Sequence, residues 1–583
     1  MSRSELYLSG IAASLLLLVA LPAGAQSFRV QCPTSTITHP VAANNNAEPA
    51  YSGPTVQAAG SGGYLVPQSN VNGAIKCQQI SGGDGYATTA DGHQTFMFSF
   101  GPLSGLESIA FGNPDGAFDR ATGASVPSVY NTVYPGVFVP GDPATTDGAM
   151  DSGSAYSQGN GGSAPTFTFN GAVGLTPDLD CIAGNQAALA AGTAAPCPNL
   201  PANGLDGHVD PRQIMDVGVM NGNIPAPLIT MDEDDEFFLT LTNVGMLMRP
   251  DLFEQHTVHF HGYPNASAFY DGVPDASVAI NIGGSFTYYY LAPDAGTYFW
   301  HCHITPPEHL QMGMVGQLYV RPRQNRVPSG NNLYTARALQ DTDARTACVP
   351  TKDVLCSNNL PLTNGVVSTT GNGIARAAAG NYIYNDGDGT SYYDVEYPIQ
   401  MHGFDPNFHF VGMTFNPEAF VDMKDKYFLL NGRSYPDTVT PGPLQTQSSD
   451  TKVHYSQPLG ATINIPAGKR AALRLVNLSV SEYHTLGTLG IRMYVVGYNA
   501  KLLRDQAGNN TGYFANSITL GGGESLDVIL DTCLVRSNPV DPSSACTTSL
   551  PKGSVYFLYS PNLDHLSNDA ENFGGELTEI HVL

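Results

Sequence analysis

Two short segments of this 583-residue chain hold residues whose types and spacing could do chemistry. The first is Gln255-His256-Thr257-Val258-His259-Phe260-His261-Gly262. The second runs from Trp300-His301-Cys302-His303 through His309 and Met312 to Met314. Together they carry six of the chain's fifteen histidines. Side chains alternate across a strand, so His259 and His261 project to one face, and His301 and His303 project together. Cys302 then points to the opposite side, as does His256, three residues before His259. The spacing predicts a four-histidine cluster with a thiolate across the strand from it. Two imidazoles, one thiolate and one thioether are the donor set of a blue-copper electron-transfer site. The peptide links from Cys302 to His301 and His303 would give an electron a short route between the two groups.

Strands must position these residues. Apolar runs at 237–242, 285–291 and 316–320 surround the two segments, and further runs follow at 393–400, 471–476, 493–496 and 526–530. Short strands at such intervals, with few helical stretches, indicate β-sandwiches or barrels. Residues 26–210 are rich in Gly, Ala, Ser, Asn and Pro. One alternating run there, 94–100, reads as a strand, and the turn-rich stretch after it reads as irregular insertions held by disulfides. Residues 326–392 read as a polar connection. The acidic run Asp232-Glu233-Asp234-Asp235-Glu236 reads as a solvated strand lead-in rather than a trap for a cationic substrate.

Composition bounds the rest. A net charge of −25 excludes a nucleic-acid partner, which needs a basic footprint, and a polybasic membrane surface. The apolar run 11–21 followed by Ala23-Gly24-Ala25 reads as a secretory signal peptide, residues 1–25, which places the protein in the periplasm or outside the cell. No later segment reads as a membrane span. In that compartment eight of the nine cysteines fall into neighbouring pairs, 32/77, 181/197, 348/356 and 533/546, while Cys302 stands apart.

Residues 213–322 resemble the copper-bearing cupredoxin domain of the multicopper oxidases. The H-x-x-H-x-H-G and H-C-H…H-x4-M motifs carry the resemblance, supported by Asp271-Gly-Val-Pro274 and Gly296-Thr-Tyr-Phe-Trp-His301. Residues 393–583 look like a second, ligand-poor domain of the same family. The implied fold is all-β: two cupredoxin-like Greek-key domains, 211–325 and 393–583, behind a long loop-rich N-terminal segment that contributes a first strand at about 93–101. The implied type 1 copper ligands are His256, Cys302, His309 and Met314, with Met312 competing for the axial position. His259 is implied for type 2 copper, and His261, His301 and His303 for type 3. The implied activity is oxidation of a small reductant, phenolic or a metal ion, with dioxygen reduced to water at the histidine cluster.

One departure keeps alternatives open. A full trinuclear centre takes eight histidines in four H-x-H pairs, and this chain has two pairs, both in one domain. A copper nitrite reductase-like enzyme would use His261 and His301 with a third histidine from a neighbouring subunit. It would carry aspartate at the position of His259 and no histidine at 303. A non-catalytic copper carrier would need only His256, Cys302, His309 and Met314. A missing half-site invites a symmetric homotrimer, because interface sites need closed symmetry. His402, His409, His484 and His565 read as packed histidines rather than ligands.

Overall fold

The computed structural model describes residues 33–102, 188–193, 224–342 and 373–583, apart from short breaks within those spans. The expected signal peptide, the expected insertions after residue 102, and Cys32, Cys181, Cys197, Cys348 and Cys356 lie outside the described residues.

Two β-sandwiches carry the structure. In the first, one sheet has the strand order Gln94–Pro102, Ile75–Thr88, Glu236–Gly245, Ser285–Leu291. The facing sheet runs Ile229–Asp232, Val315–Arg321, Gly296–His301, His259–Phe260. Each sheet contains one parallel pair, Ile75–Thr88 with Glu236–Gly245 and Val315–Arg321 with Ile229–Asp232. Ile80, Phe96, Phe98 and Phe100 from the N-terminal hairpin pack against Leu239, Leu241, Tyr288, Trp300 and Leu318 in one core. The expected strand near 94 forms. Its partner Ile75–Thr88, with Gly82-Gly83-Asp84-Gly85 in its interior, was not among the expected strands.

The second sandwich faces a sheet ordered Tyr427–Leu430, Val395–Phe404, Arg470–Asn477, Ser525–Asp531, Met493–Tyr498 against one ordered Ile463–Ile465, Leu577–Val582, Val555–Tyr559, His484–Thr488, Ser517–Leu520. Its core holds Ile399, Leu473, Leu475, Val495, Val528 and Leu558. The hairpin Cys533–Arg536 and Cys546–Ser549 is closed by the disulfide expected between its cysteines. The described part of the connection 326–392 is folded: Leu333 on helix Leu333–Gln340 packs with Ile374, Tyr382 and Tyr392.

The sandwiches join along strand Gly296–His301. Phe299, Leu310 and Val315 of the first pack with Val476 and Leu478 of the second. Thr297 Oγ1 donates to Asp527 at 2.6 Å, and Gln317 Nε2 donates to the Arg474 carbonyl at 2.7 Å. Arg474 is fully buried and paired with Glu396 at 2.9 Å and Asp527 at 3.3 Å. The acidic lead-in is also buried, against expectation. Asp234 pairs with Arg323 at 2.8 Å and Arg326 at 3.0 Å, Asp235 with Lys76 at 2.8 Å, and Glu236 with His39 at 2.6 Å. These partners lie far away in sequence, so composition alone gave no sign of them.

Candidate metal centre

His259 and His301 face each other directly across an antiparallel strand pair, with Phe260 opposite Trp300. The His261 N–H continues the ladder, donating to the Phe299 carbonyl at 2.8 Å. Alternation along that ladder puts three imidazoles on one face. Their ring centroids lie 5.1 Å (His259–His261), 5.4 Å (His259–His301) and 4.9 Å (His261–His301) apart. One nitrogen from each lies within 4.8 Å of the others. His303 lies just beyond the end of strand Gly296–His301. Its ring stacks near His301 at 5.4 Å and meets His259 edge-on at 5.0 Å, outside the group of three.

Backbone carbonyls orient two of these rings. His259 Nδ1 lies 2.7 Å from the Asp271 carbonyl, and His301 Nδ1 is bonded to the Cys302 carbonyl. An Nδ1–H donating to a carbonyl leaves Nε2 as a free lone pair, the form a metal needs. His301 Nε2 lies 2.8 Å from His261 Nε2. Burial, with help from His259 and His303, pulls the pKa of His261 down to about 4. Burial also holds His301 well below the usual histidine range. Both rings are therefore neutral at neutral pH.

The second group lies on the other side of the strand, as alternation requires. His256 is fixed by a backbone bridge to Ile280, with N–H···O distances of 3.1 and 3.0 Å. The Cys302 N–H donates to the Met314 carbonyl at 3.0 Å, and the Met314 N–H donates to the His309 carbonyl at 2.8 Å. This closes helix Pro306–Met312 back over the thiol. His309 Nδ1 lies 3.3 Å from Cys302 Sγ, and the Thr257 N–H donates to the same sulfur at 3.4 Å. The His256 and His309 ring centroids are 5.4 Å apart. Cys302, His256 and His309 are each 0% exposed. Met312 and Met314 are buried in the core that contains Cys302.

The donor chemistry fits a soft metal ion. Both ring nitrogens of His256 are buried without a hydrogen-bond partner. Such orphaned groups are costly unless something binds them. Burial, then the nearby His309, holds His256 well below its ordinary pKa, so it stays neutral. Burial disfavours charge on His309 too, but Cys302 and Glu254, 3.4 Å from Nε2, outweigh it and push its pKa up to about 9. Two imidazoles, a thiol and an adjacent thioether are what copper prefers.

Several contributors gave no sequence signal. A Cβ at Gly82 would come within 2.5 Å of the His256 ring, so glycine makes room for it. Gly523 of the second sandwich faces His261, and a Cβ there would lie 3.5 Å from its Nδ1. Among the described residues the second sandwich brings no histidine to the three-histidine group. His402 and His409 contact helix Pro306–Met312 instead, at the Leu310 carbonyl (3.2 Å) and the Gln311 carbonyl (2.9 Å). Trp300 is a packing residue: it stacks on Phe100 at 5.1 Å and donates to the Gln317 carbonyl at 3.2 Å.

Comparison with known proteins agrees with this chemistry. Residues 206–325 match the family model for multicopper oxidases. The chain is 35% identical over 109 residues to laccase abr2 of Aspergillus fumigatus, covering 18% of this chain and 17% of that one. It is 33% identical over 113 residues to L-ascorbate oxidase of Cucumis sativus, again 18% and 17% of the two chains. The matched region thus spans less than a fifth of either relative. A blue copper oxidase from Nitrosomonas europaea aligns over 62% of this chain and 77% of its own, at 20% identity and a TM-score of 0.38. Both ligand groups fall inside the residues that match the multicopper oxidase model.

Proposed function

We propose that the protein is an exported copper-dependent oxidoreductase that oxidises a small reductant, phenolic or a metal ion, and delivers the electrons to dioxygen. His256, Cys302, His309 and Met314 hold a type 1 copper in this reading. His259, His261 and His301, with His303 beside them, hold type 2 and/or type 3 copper. Bound copper would supply one-electron redox chemistry at the first site and dioxygen reduction at the second.

One observation carries the proposal. Cys302 belongs to the buried thiol group, and its chain neighbour His301 belongs to the histidine group on the opposite face. A single peptide link joins the two sets. The remaining side chains prepare the sites. Thr257 donates to the sulfur, Tyr288 accepts the Val258 N–H at 3.0 Å, and Phe98 packs edge-on to His309 at 5.0 Å and shields the thiol pocket from water. His309 is buried, so a reductant meets Glu254, the partly exposed group beside it.

Copper content per chain and oxygen uptake test the proposal. A Cu–thiolate absorption band that vanishes in Cys302→Ser, together with oxygen consumption on a phenol or Fe(II), is expected. Colour without turnover would support a copper carrier. Nitrite turnover would support a reductase, although His259 stands in the group of three where such an enzyme would carry aspartate. About one copper per chain means the thiol site alone, about two a single added copper, and about four a full oxidase set, since each metal needs its own ligand group.

A further inference from the structure

A second group of metal-ligating side chains is buried in the second sandwich. His484 opens strand His484–Thr488, His565 lies on the turn Asp564–Leu566, and Glu576 immediately precedes strand Leu577–Val582. One ligand-capable atom from each lies within 4.8 Å of the other two, and all three residues are buried.

Hydrogen bonding uses one polar atom of each and leaves another over. His484 Nδ1 meets Glu576 Oε1 at 2.5 Å, and His565 Nε2 meets Glu482 Oε2 at 3.1 Å. His484 Nε2, His565 Nδ1 and Glu576 Oε2 are buried with no hydrogen-bond partner. The last two are 3.6 Å apart, too far for a hydrogen bond. Three orphaned atoms in one cluster call for a ligand, since buried polar groups are otherwise paired. A different acidic group, Glu48, Asp232 and Asp235, shows the contrast. There the Lys76 ammonium already sits 2.7, 3.1 and 2.8 Å from the three carboxylates. Glu576 has no Lys or Arg partner among the described residues; its ion-pair partners are the two histidines.

We propose that His484, His565 and Glu576 bind a borderline divalent cation of the Zn(II)/Cu(II) class, at a site independent of Cys302. Two imidazoles and a carboxylate are a donor set such ions take, with a fourth position left for water. Glu482 holds the far nitrogen of His565, the usual task of an outer carboxylate behind a ligating histidine. It is 41% exposed, so the site lies one side chain below solvent. The ion would tie a strand, a turn and the lead-in to another strand across residues 484–576, adding binding free energy to folding.

The full chain carrying Cys302→Ser removes the thiolate site and its colour from the measurement. After chelator treatment it is loaded with Zn(II) or Cu(II) separately, and bound metal and melting temperature are read. It is expected to retain one equivalent more than Cys302→Ser/Glu576→Gln and to melt higher only when loaded. The ion bound more tightly identifies the occupant. Glu576→Gln keeps the side chain's size and an acceptor oxygen; should it fold poorly, Cys302→Ser/Glu482→Gln provides the reading, with affinity reduced by about 10–100-fold. Equal metal content with and without Glu576, or an affinity unchanged by Glu482→Gln, overturns the proposal. The copper–thiolate reading fails separately, by absence of colour in the parent.

Discussion

Gly82→Ala tests whether the thiol pocket depends on the strand that the sequence hid. Gly82 sits in Ile75–Thr88, paired with Phe100 on one side and Asn243 on the other, so its backbone has little room to retreat. A Cβ there would lie 2.5 Å from His256 Cδ2, 3.1 Å from Cγ and 3.3 Å from Nε2. The ring cannot easily yield either: its backbone is bridged to Ile280, and His309 packs edge-on against it. Overpacking a filled core costs about 1–3 kcal/mol. In a chain of this size each kcal/mol lowers the melting temperature by roughly 2–4 °C or less. The loss is expected in metal-free protein, with a displaced or weakened Cu–thiolate band in the copper-loaded form. A double-mutant cycle locates the cause. In a His256→Ala background the ring is gone, and Gly82→Ala should become nearly neutral, giving a coupling of about 1–3 kcal/mol. An equal cost in both backgrounds would refute a clash with the ring.

Three further outcomes are expected. Glu396→Gln leaves Arg474 and Arg321, 2.9 and 3.0 Å away, without their carboxylate partner, and should cost about 3–5 kcal/mol by chemical denaturation. Burial opposes charge on Glu396, but Arg321 and Arg474 outweigh it and hold its pKa at about 2. A depressed pKa contributes stability above the unfolded value, near 4.3, which is lost as pH falls toward 2; an acid melt of the wild type should show that loss and Glu396→Gln should not. Replacing Cys533 and Cys546 by serine opens a loop with a sequence separation of 13 and should cost about 3 kcal/mol or less, read as a lower melting temperature under non-reducing conditions only. Finally, His409→Leu removes a ring that faces the Gln311 carbonyl at 2.9 Å and the Phe96 carbonyl at 2.6 Å. Burial pulls its pKa to about 4, so the neutral ring donates to one of them only. Loss of one buried hydrogen bond, about 1–3 kcal/mol, is expected, with a changed Cu–thiolate band.

Much of the site could be read from spacing, because it lies where strand periodicity holds. His259, His261 and His301 share a face, while Cys302 and His256 share the other, as the two-residue period requires. His303 lies just beyond the end of Gly296–His301, and its ring still sits beside His301 at 5.4 Å and His259 at 5.0 Å. His309 reaches the sulfur from a helix that begins with Pro306-Pro307, and that placement has no signature in a strand pattern. Glycine-rich sequence also hid a strand: Gly82-Gly83 is a strand interior that must pass close to an imidazole. Long-range pairing was invisible throughout, from the Arg and Lys partners of the acidic lead-in to the contacts of His402 and His409.

Those last contacts give the second sandwich a role despite its lack of copper ligands near the three histidines. Helix Pro306–Met312 carries His309 and ends at Met312, yet it has only seven residues, too few to be stable alone. The second sandwich holds it from outside. His402 and His409 contact the Leu310 and Gln311 carbonyls, Gln311 Nε2 donates to Asp425 at 3.0 Å, and the Asp405 N–H donates to Gln311 Oε1 at 3.0 Å. Each contact is worth about 1 kcal/mol, but together they fix the register of a helix whose central residue, His309, lies 3.3 Å from the sulfur. On the opposite face the same domain offers Gly523 to His261, a residue that encloses the ring without crowding it. A domain whose described residues bring no histidine to the cluster can therefore set the geometry of both ligand groups, one through hydrogen bonds to a helix and the other through the absence of a side chain.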